Sequence, residues 1–209
     1  MMGQEYHDGT RDFQDRFDTR RLADRLAEST SDVINDRFKS FIEKRDMFFI
    51  ATANEEGWPE VSYKGGDPGF VKVLDEHTLA FPVYNGNGMF LTTGNLSVNP
   101  RVGLLFIDWE TGTRLRMNGH ASIDMGDPLI DEYARALFVV RVRAREVFPN
   151  CRRYVHRHRR VERSPFVPTG DAAPPVPDWK LDKWFEGTLS ADDPALDPDH
   201  PSAPSIPQF

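Results

Sequence analysis

The stretch VSYKGGDPGFVKV, residues 61–73, ends a strand-like run on a lysine and follows it at once with two glycines. Two chemistries account for the arrangement. In one, Gly65, Gly66 and Gly69 supply unusual backbone angles, Pro68 sets a turn, and Lys64 is a solvated strand-end charge. In the other, the glycines let a bulky anion come close to the backbone and Lys64 offers it charge. Two further cations stand at Arg114 and Arg116, and strand periodicity puts them on one face. That face is either solvated or able to grip a phosphate, since a guanidinium can donate two hydrogen bonds to it. His156 and His158 are two apart, so a helix would point them in different directions; they read as surface residues. Cys151 has no assignable base and reads as an unreactive, buried thiol. No residue is marked as a general acid or base. No Gly-x-Gly-x-x-Gly follows a strand, which argues against a dedicated nicotinamide domain.

The 209 residues allow one sizeable core with extensions. A formal charge of -7 disfavours a general nucleic-acid binder, which needs a basic surface. With a single cysteine the chain forms no internal disulfide and no cysteine-based zinc site. Without an apolar signal segment or a stretch of membrane-spanning length, the expected location is cytoplasmic, with no membrane partner.

Three regions must position these residues. Residues 1–45 read as two amphipathic helices packed on the core. Phe13, Phe17, Leu22 and Leu26 stripe the first; Ser31 caps the second, whose face is Val33, Ile34, Phe38, Phe41 and Ile42. Residues 46–158 are strand-rich, with MFFIATA, WPEVSYK, GFVKVLD, TLAFPVY, RVGLLFID, RLRMNGHASID and LFVVRVRAREVF as strands. A helix over 89–98 interrupts them. In the last strand Phe138, Val140 and Val142 face one way and Arg141, Arg143 and Arg145 the other. The pattern predicts a mainly β fold with peripheral helices, a small antiparallel barrel. CRRYVHRHRRVER reads as a short basic helix. Residues 159–209 form an extension holding ten of the sixteen prolines, expected to be extended or disordered. Its island DWKLDKWFEG, near 178–187, carries Trp179, Leu181, Trp184 and Phe185 and reads as a docking segment.

The segment LAFPVYNGNGMFLTTGNLSVNPRVGLLFID resembles the pyridoxamine 5'-phosphate oxidase-like flavoproteins, the FMN-binding split-barrel family. The resemblance rests on a strand followed by a short helix, on Asn99-Pro100 opening an apolar strand, on GWPEVSYKGG upstream and on RLRMNGHASI downstream. It covers roughly residues 30–155. VFPNCRRYVHR, with Asn150, Arg153 and Tyr154, is similar to an uncharacterised branch. One departure is plain. The vitamin-B6 oxidases carry Ser-Arg-Lys where the short helix begins, and this chain has Phe90, Leu91 and Thr92.

The resemblance implies a split β-barrel and FMN as cofactor, lying between the two subunits of a homodimer. It further implies hydride or electron transfer through flavin N5 to or from a small-molecule substrate. Lys64 and Arg114, with Arg116, become the cations for the phosphate, and Thr92 and Asn95 donors on the short helix. Ser62, Tyr63 and Gly65 run beside the flavin rings, Tyr84 lies near them, and Asn87 sits on a loop able to fold over the cofactor. Relatives that use the deazaflavin F420, or that bind heme or flavin without catalysis, leave those two alternatives open.

Overall fold

The computed structural model describes residues 6–170, 174–197 and 199–201. They fall into two compact units, residues 1–159 and 160–209.

In the first unit three helices precede the sheet: α1 (Asp8–Arg16), α2 (Arg20–Ala27) and α3 (Asp36–Glu43). Sequence reading gave two helices: the first divides into α1 and α2 at Asp18, which has φ 51, and the second begins later than expected. Ser31 does not cap the second helix because its backbone pairs with Val147, bonding in both directions. Asn35 caps α3 instead, its side chain accepting from the Phe38 N–H at 3.0 Å. Val33 and Ile34 therefore precede the helix. Ile34 and Ile42 are buried in the core with Phe38 and Phe41 packed against them. The α1–α2 stripe is not packed on the barrel: Phe13, Phe17, Leu22 and Leu26 are all exposed.

Seven strands follow: β1 (Met47–Ala53), β2 (Pro59–Gly65), β3 (Lys72–Val73), β4 (Thr78–Tyr84), β5 (Arg101–Asp108), β6 (Thr113–Asp124) and β7 (Ala136–Asn150). A helix, α4 (Leu91–Val98), separates β4 from β5. All neighbours are antiparallel, in the order β2-β1-β5-β6-β7-β4-β3. Phe48 of β1 shows that this sheet is curled. Its ring lies 5.1 Å from that of Phe81 on β4, although four strand spacings, roughly 19 Å in a flat sheet, separate the two strands. Phe70 and Phe106 complete the cluster around it, at 5.9 and 5.2 Å. The sheet thus closes on itself as a split barrel around one apolar core.

Opposite Asn118 and Gly119, β7 carries one unpaired residue, Arg145, a bulge that gives β7 part of this bend. A Cβ on Gly119 would meet the Arg143 carbonyl oxygen at 2.2 Å. Beyond β7 the expected basic helix does not form. Tyr154 has φ 67, and the chain instead lies along the β5–β6 turn. There the His158 N–H donates to the Trp109 carbonyl at 3.0 Å and Arg157 Nε to the Glu110 carbonyl at 2.6 Å.

The second unit is more ordered than its proline content suggests. Short 3-10 turns span Asp178–Leu181, Lys183–Phe185 and Pro194–Leu196. Lys180 and Asp193 form a buried ion pair at 2.6 Å, and Trp179 and Phe185 meet edge to face at 5.1 Å. Gly119→Ala tests the bulge: the clash is with backbone, so unfolding by denaturant should show a loss of roughly 3 kcal/mol. A wild-type midpoint would show that the bulge tolerates a side chain.

Candidate functional site

Strand register builds the site. Thr52 pairs with Glu60, Ile50 with Ser62 and Phe48 with Lys64. Phe48, Ile50 and Thr52 are buried, so Glu60, Ser62 and Lys64 share their inward face, while Val61 and Tyr63 point out and are exposed. The inward side chains of β2 meet α4, whose Thr92 and Leu96 are buried.

A polar network joins them. Lys64 Nζ donates to Thr92 Oγ1 at 3.1 Å and to Ser62 Oγ at 3.3 Å. Thr92 Oγ1 donates to Glu60 Oε2 at 3.3 Å, and Thr52 Oγ1 donates to the same oxygen at 3.0 Å. Asn95 Nδ2 donates to Thr52 Oγ1 at 3.0 Å. Burial pushes the Lys64 ammonium below the usual lysine range, and the charge of Glu60 pulls it partly back. An ammonium carries three donors; among the described residues two hydroxyls take two of them. Lys64 is therefore a half-buried cation with hydrogen-bonding capacity to spare.

The two glycines after Lys64 have an intramolecular use. A Cβ on Gly65 would lie 2.7 Å from the Tyr63 ring, and one on Gly66 would lie 2.4 Å from that of Phe70. Each makes room for an aromatic side chain of its own segment. Asp67 to Phe70 forms the expected turn, with Gly69 at φ 92.

The ten residues singled out in the sequence do not converge within one chain. Ser62, Lys64, Thr92 and Asn95 come together in the network, and Gly65 follows Lys64. Tyr63 and Arg116 lie on the outer face, in the cross-strand row Tyr63–Phe49–Leu105–Arg116–Phe148. Arg114 shares that face, opposite Lys64, and three strand spacings, roughly 14 Å, separate β6 from β2. Its Nη2 donates to the Cys151 carbonyl. Tyr84 is half-buried at the end of β4, its phenol pushed up by burial and by Asp67. Asn87 is on an exposed loop, where its side chain accepts from the Met89 N–H at 3.1 Å. Cys151 is exposed rather than buried, and Arg153, at 3.2 Å from Sγ, holds its thiol below the usual range.

Sequence reading passed over Glu60 and Thr52. The period of two that places Ser62 beside Lys64 also places Glu60 beside Ser62, so the signal for Glu60 was present. No group of three or more potential ligands among the described residues would hold a metal ion, and none of their helices is long and apolar enough to cross a membrane.

The family model described as pyridoxamine 5'-phosphate oxidase matches residues 34–163, well over half of the chain. The chain belongs to this family. The matched span runs from the residue before the Asn35 cap, through every strand, to beyond β7. A comparison with curated proteins finds no match. Among solved structures, a putative pyridoxamine 5'-phosphate oxidase from Lactobacillus delbrueckii is 22% identical, with a TM-score of 0.47, over 56% of this chain and 95% of that one. HutZ, the heme storage protein from Vibrio cholerae, is 20% identical, with a TM-score of 0.41, over 56% and 94%. An FMN-binding protein from Syntrophomonas wolfei is 9% identical, with a TM-score of 0.42, over 66% and 97%.

Thr92 ties Lys64 to Glu60, so Thr92→Val should cost about 1–2 kcal/mol, the penalty for leaving part-buried polar groups short of partners. Thr93→Val removes a bond to a carbonyl on the exposed side of the same helix and should cost under about 0.5 kcal/mol. Equal losses in thermal unfolding would show that the network adds nothing.

Proposed function

We propose that this member of the family is an FMN-binding flavoprotein, active as a homodimer, that passes hydride or electrons to or from a small molecule. The observation that carries this reading is Lys64: a half-buried ammonium held by hydroxyls, with no carboxylate of the described residues in direct contact. Leaving a partly desolvated cation without an anionic partner costs stability. A phosphate beside it would offset that cost with charge-assisted hydrogen bonds. Thr92 and Ser62 keep the ammonium in place, and Glu60 holds the Thr92 hydroxyl from behind.

FMN, once bound, supplies the redox chemistry itself. The chain's own residues bind and orient it, which accords with the lack of an evident acid–base pair. Vitamin-B6 oxidation is not the favoured activity. In the first turn of α4, Leu91 and Thr92 stand where the vitamin-B6 oxidases place their two cations.

The homodimer draws support from the outer face. Tyr63 is 61% exposed beside Phe49 and Leu105, and the neighbouring row, Val61–Ala51–Gly103–Asn118, has small residues at its centre. Such an apolar face can receive a second copy, which would also cover Arg116.

The direct test is the visible spectrum of the freshly purified protein, with the released chromophore identified by mass. The expected result is a two-band flavin spectrum and FMN. A Soret band, a deazaflavin, or a colourless protein that fails to take up added FMN would each contradict it. Lys64→Met is a second check. Replacing a half-buried charge with a thioether of similar length should leave the cofactor-free melting temperature unchanged or raise it, while FMN no longer co-purifies. A variant that keeps FMN would remove Lys64 from the site.

A further inference from the structure

A cavity of about 430 Å³ opens between α3 and the paired ends of β5, β6 and β7. It is separate from the Lys64 network, none of whose residues line it. Its volume falls within the range of small-molecule sites, roughly 300–1,000 Å³.

The lining is of two kinds. Phe38, Phe41, Leu115 and Pro149 supply apolar wall, while Arg37, Lys44, Arg45 and Arg114 supply charge against one carboxylate, Asp108. Asp108 is already engaged, 3.1 Å from Arg45 Nη1. The Arg45 guanidinium also lies 4.8 Å from the Phe41 ring centroid. Arg37 and Lys44 are exposed and make no ion pair among the described residues. Arg114 gives one N–H to the Cys151 carbonyl, but its buried Nε has no acceptor. Among the described residues, three cations are thus left without a counter-charge around an apolar hollow.

The arrangement follows from helix geometry. Residues 37, 41 and 44 fall on one side of α3 and its C-terminal continuation, so charge alternates with the Phe41 ring along the cavity wall. The partly buried Phe38 and Phe41 rest against the barrel core, which fixes the floor while the longer cationic side chains stand at the rim.

We propose that this cavity binds a small amphipathic organic anion, its carboxylate or phosphate head met by Arg37, Lys44 and Arg114 and its hydrocarbon or aromatic body lying on Phe38, Phe41 and Leu115. The head alone would leave the apolar wall wet, and an uncharged body would leave the cations unpaired. Of its residues only Arg114 is among the cations that the resemblance assigns to the FMN phosphate; none belongs to the Lys64 network, which carries the FMN reading.

The test is a titration of the full-length protein, with FMN present in excess, using octanoate, phenyl phosphate, inorganic phosphate and 1-octanol in turn. The readout is the backbone amide shifts of Ser40, Phe41, Thr113 and Leu115. Octanoate or phenyl phosphate should saturate these shifts, and whichever binds more tightly identifies the preferred head group. Inorganic phosphate and 1-octanol, each lacking half of the chemistry, should bind at least tenfold more weakly. Arg37→Ala/Lys44→Ala should weaken the better ligand by roughly tenfold, as expected for two charge contacts, with the rest of the spectrum unchanged. The proposal is overturned if neither anion saturates, if the shifts fall elsewhere, if 1-octanol binds as well, or if the double variant binds like wild type.

Discussion

The pairing register between β1 and β2 is the constraint on which the rest depends. With Phe48 opposite Lys64 and Thr52 opposite Glu60, the edge strand turns its charged side chains toward α4 and its apolar ones, Val61 and Tyr63, away from it. A slip of one residue would exchange the two sets. Lys64 would enter solvent and Tyr63 would face the helix. The Tyr63 ring, folded over Gly65, and the turn bonding the Phe70 N–H to Asp67 help fix the register at the end that matters.

Curvature makes that register useful. Only because the sheet curls until Phe48 touches Phe81 does one core form, with α4 closing over the inward face of β2. The helix enters through Phe90 in a left-handed conformation, φ 49, and sinks Thr92 and Leu96 while leaving Leu91 and Val98 exposed. The hydroxyl of Thr92 is thereby carried to a point where it links Lys64 with Glu60. The same closure places α3 across the barrel end, where its cations and rings wall the 430 Å³ cavity. Two polar sites thus stand on one scaffold, one built from strand pairing and the other from a helix face.

Much of the fold was legible in the sequence because its strands alternate cleanly and its turns carry Gly, Pro and Asp. The family was legible for a related reason: Asn99-Pro100 and the glycine of RLRMNG occupy positions that the backbone requires, and Gly119 indeed has no room for a Cβ. The errors arose where tertiary contacts override local signals. Ser31 has the chemistry of a cap, but its backbone is bonded to Val147. The segment after Cys151 has the composition of a basic helix, but bonds to the Trp109 and Glu110 carbonyls keep it extended. Within one chain, Ser62, Lys64, Thr92 and Asn95 lie together in one network, whereas Arg114 and Arg116 lie on the opposite face. Period-two reasoning pairs residues along one strand but does not say which face of a curled sheet looks toward a ligand.

The central claim is that Lys64 is kept half-buried and free of direct carboxylate contact in order to receive a phosphate. Comparing the affinities of FMN and riboflavin in the wild type and in Lys64→Met isolates that contact, because the two flavins differ only in the phosphate. A charge-assisted contact worth about 1.5–3 kcal/mol predicts that the wild type prefers FMN by roughly ten- to a hundredfold. In the variant most of that preference should vanish while riboflavin binds as before. An FMN preference that survives the loss of Lys64 would contradict the account and place the phosphate elsewhere.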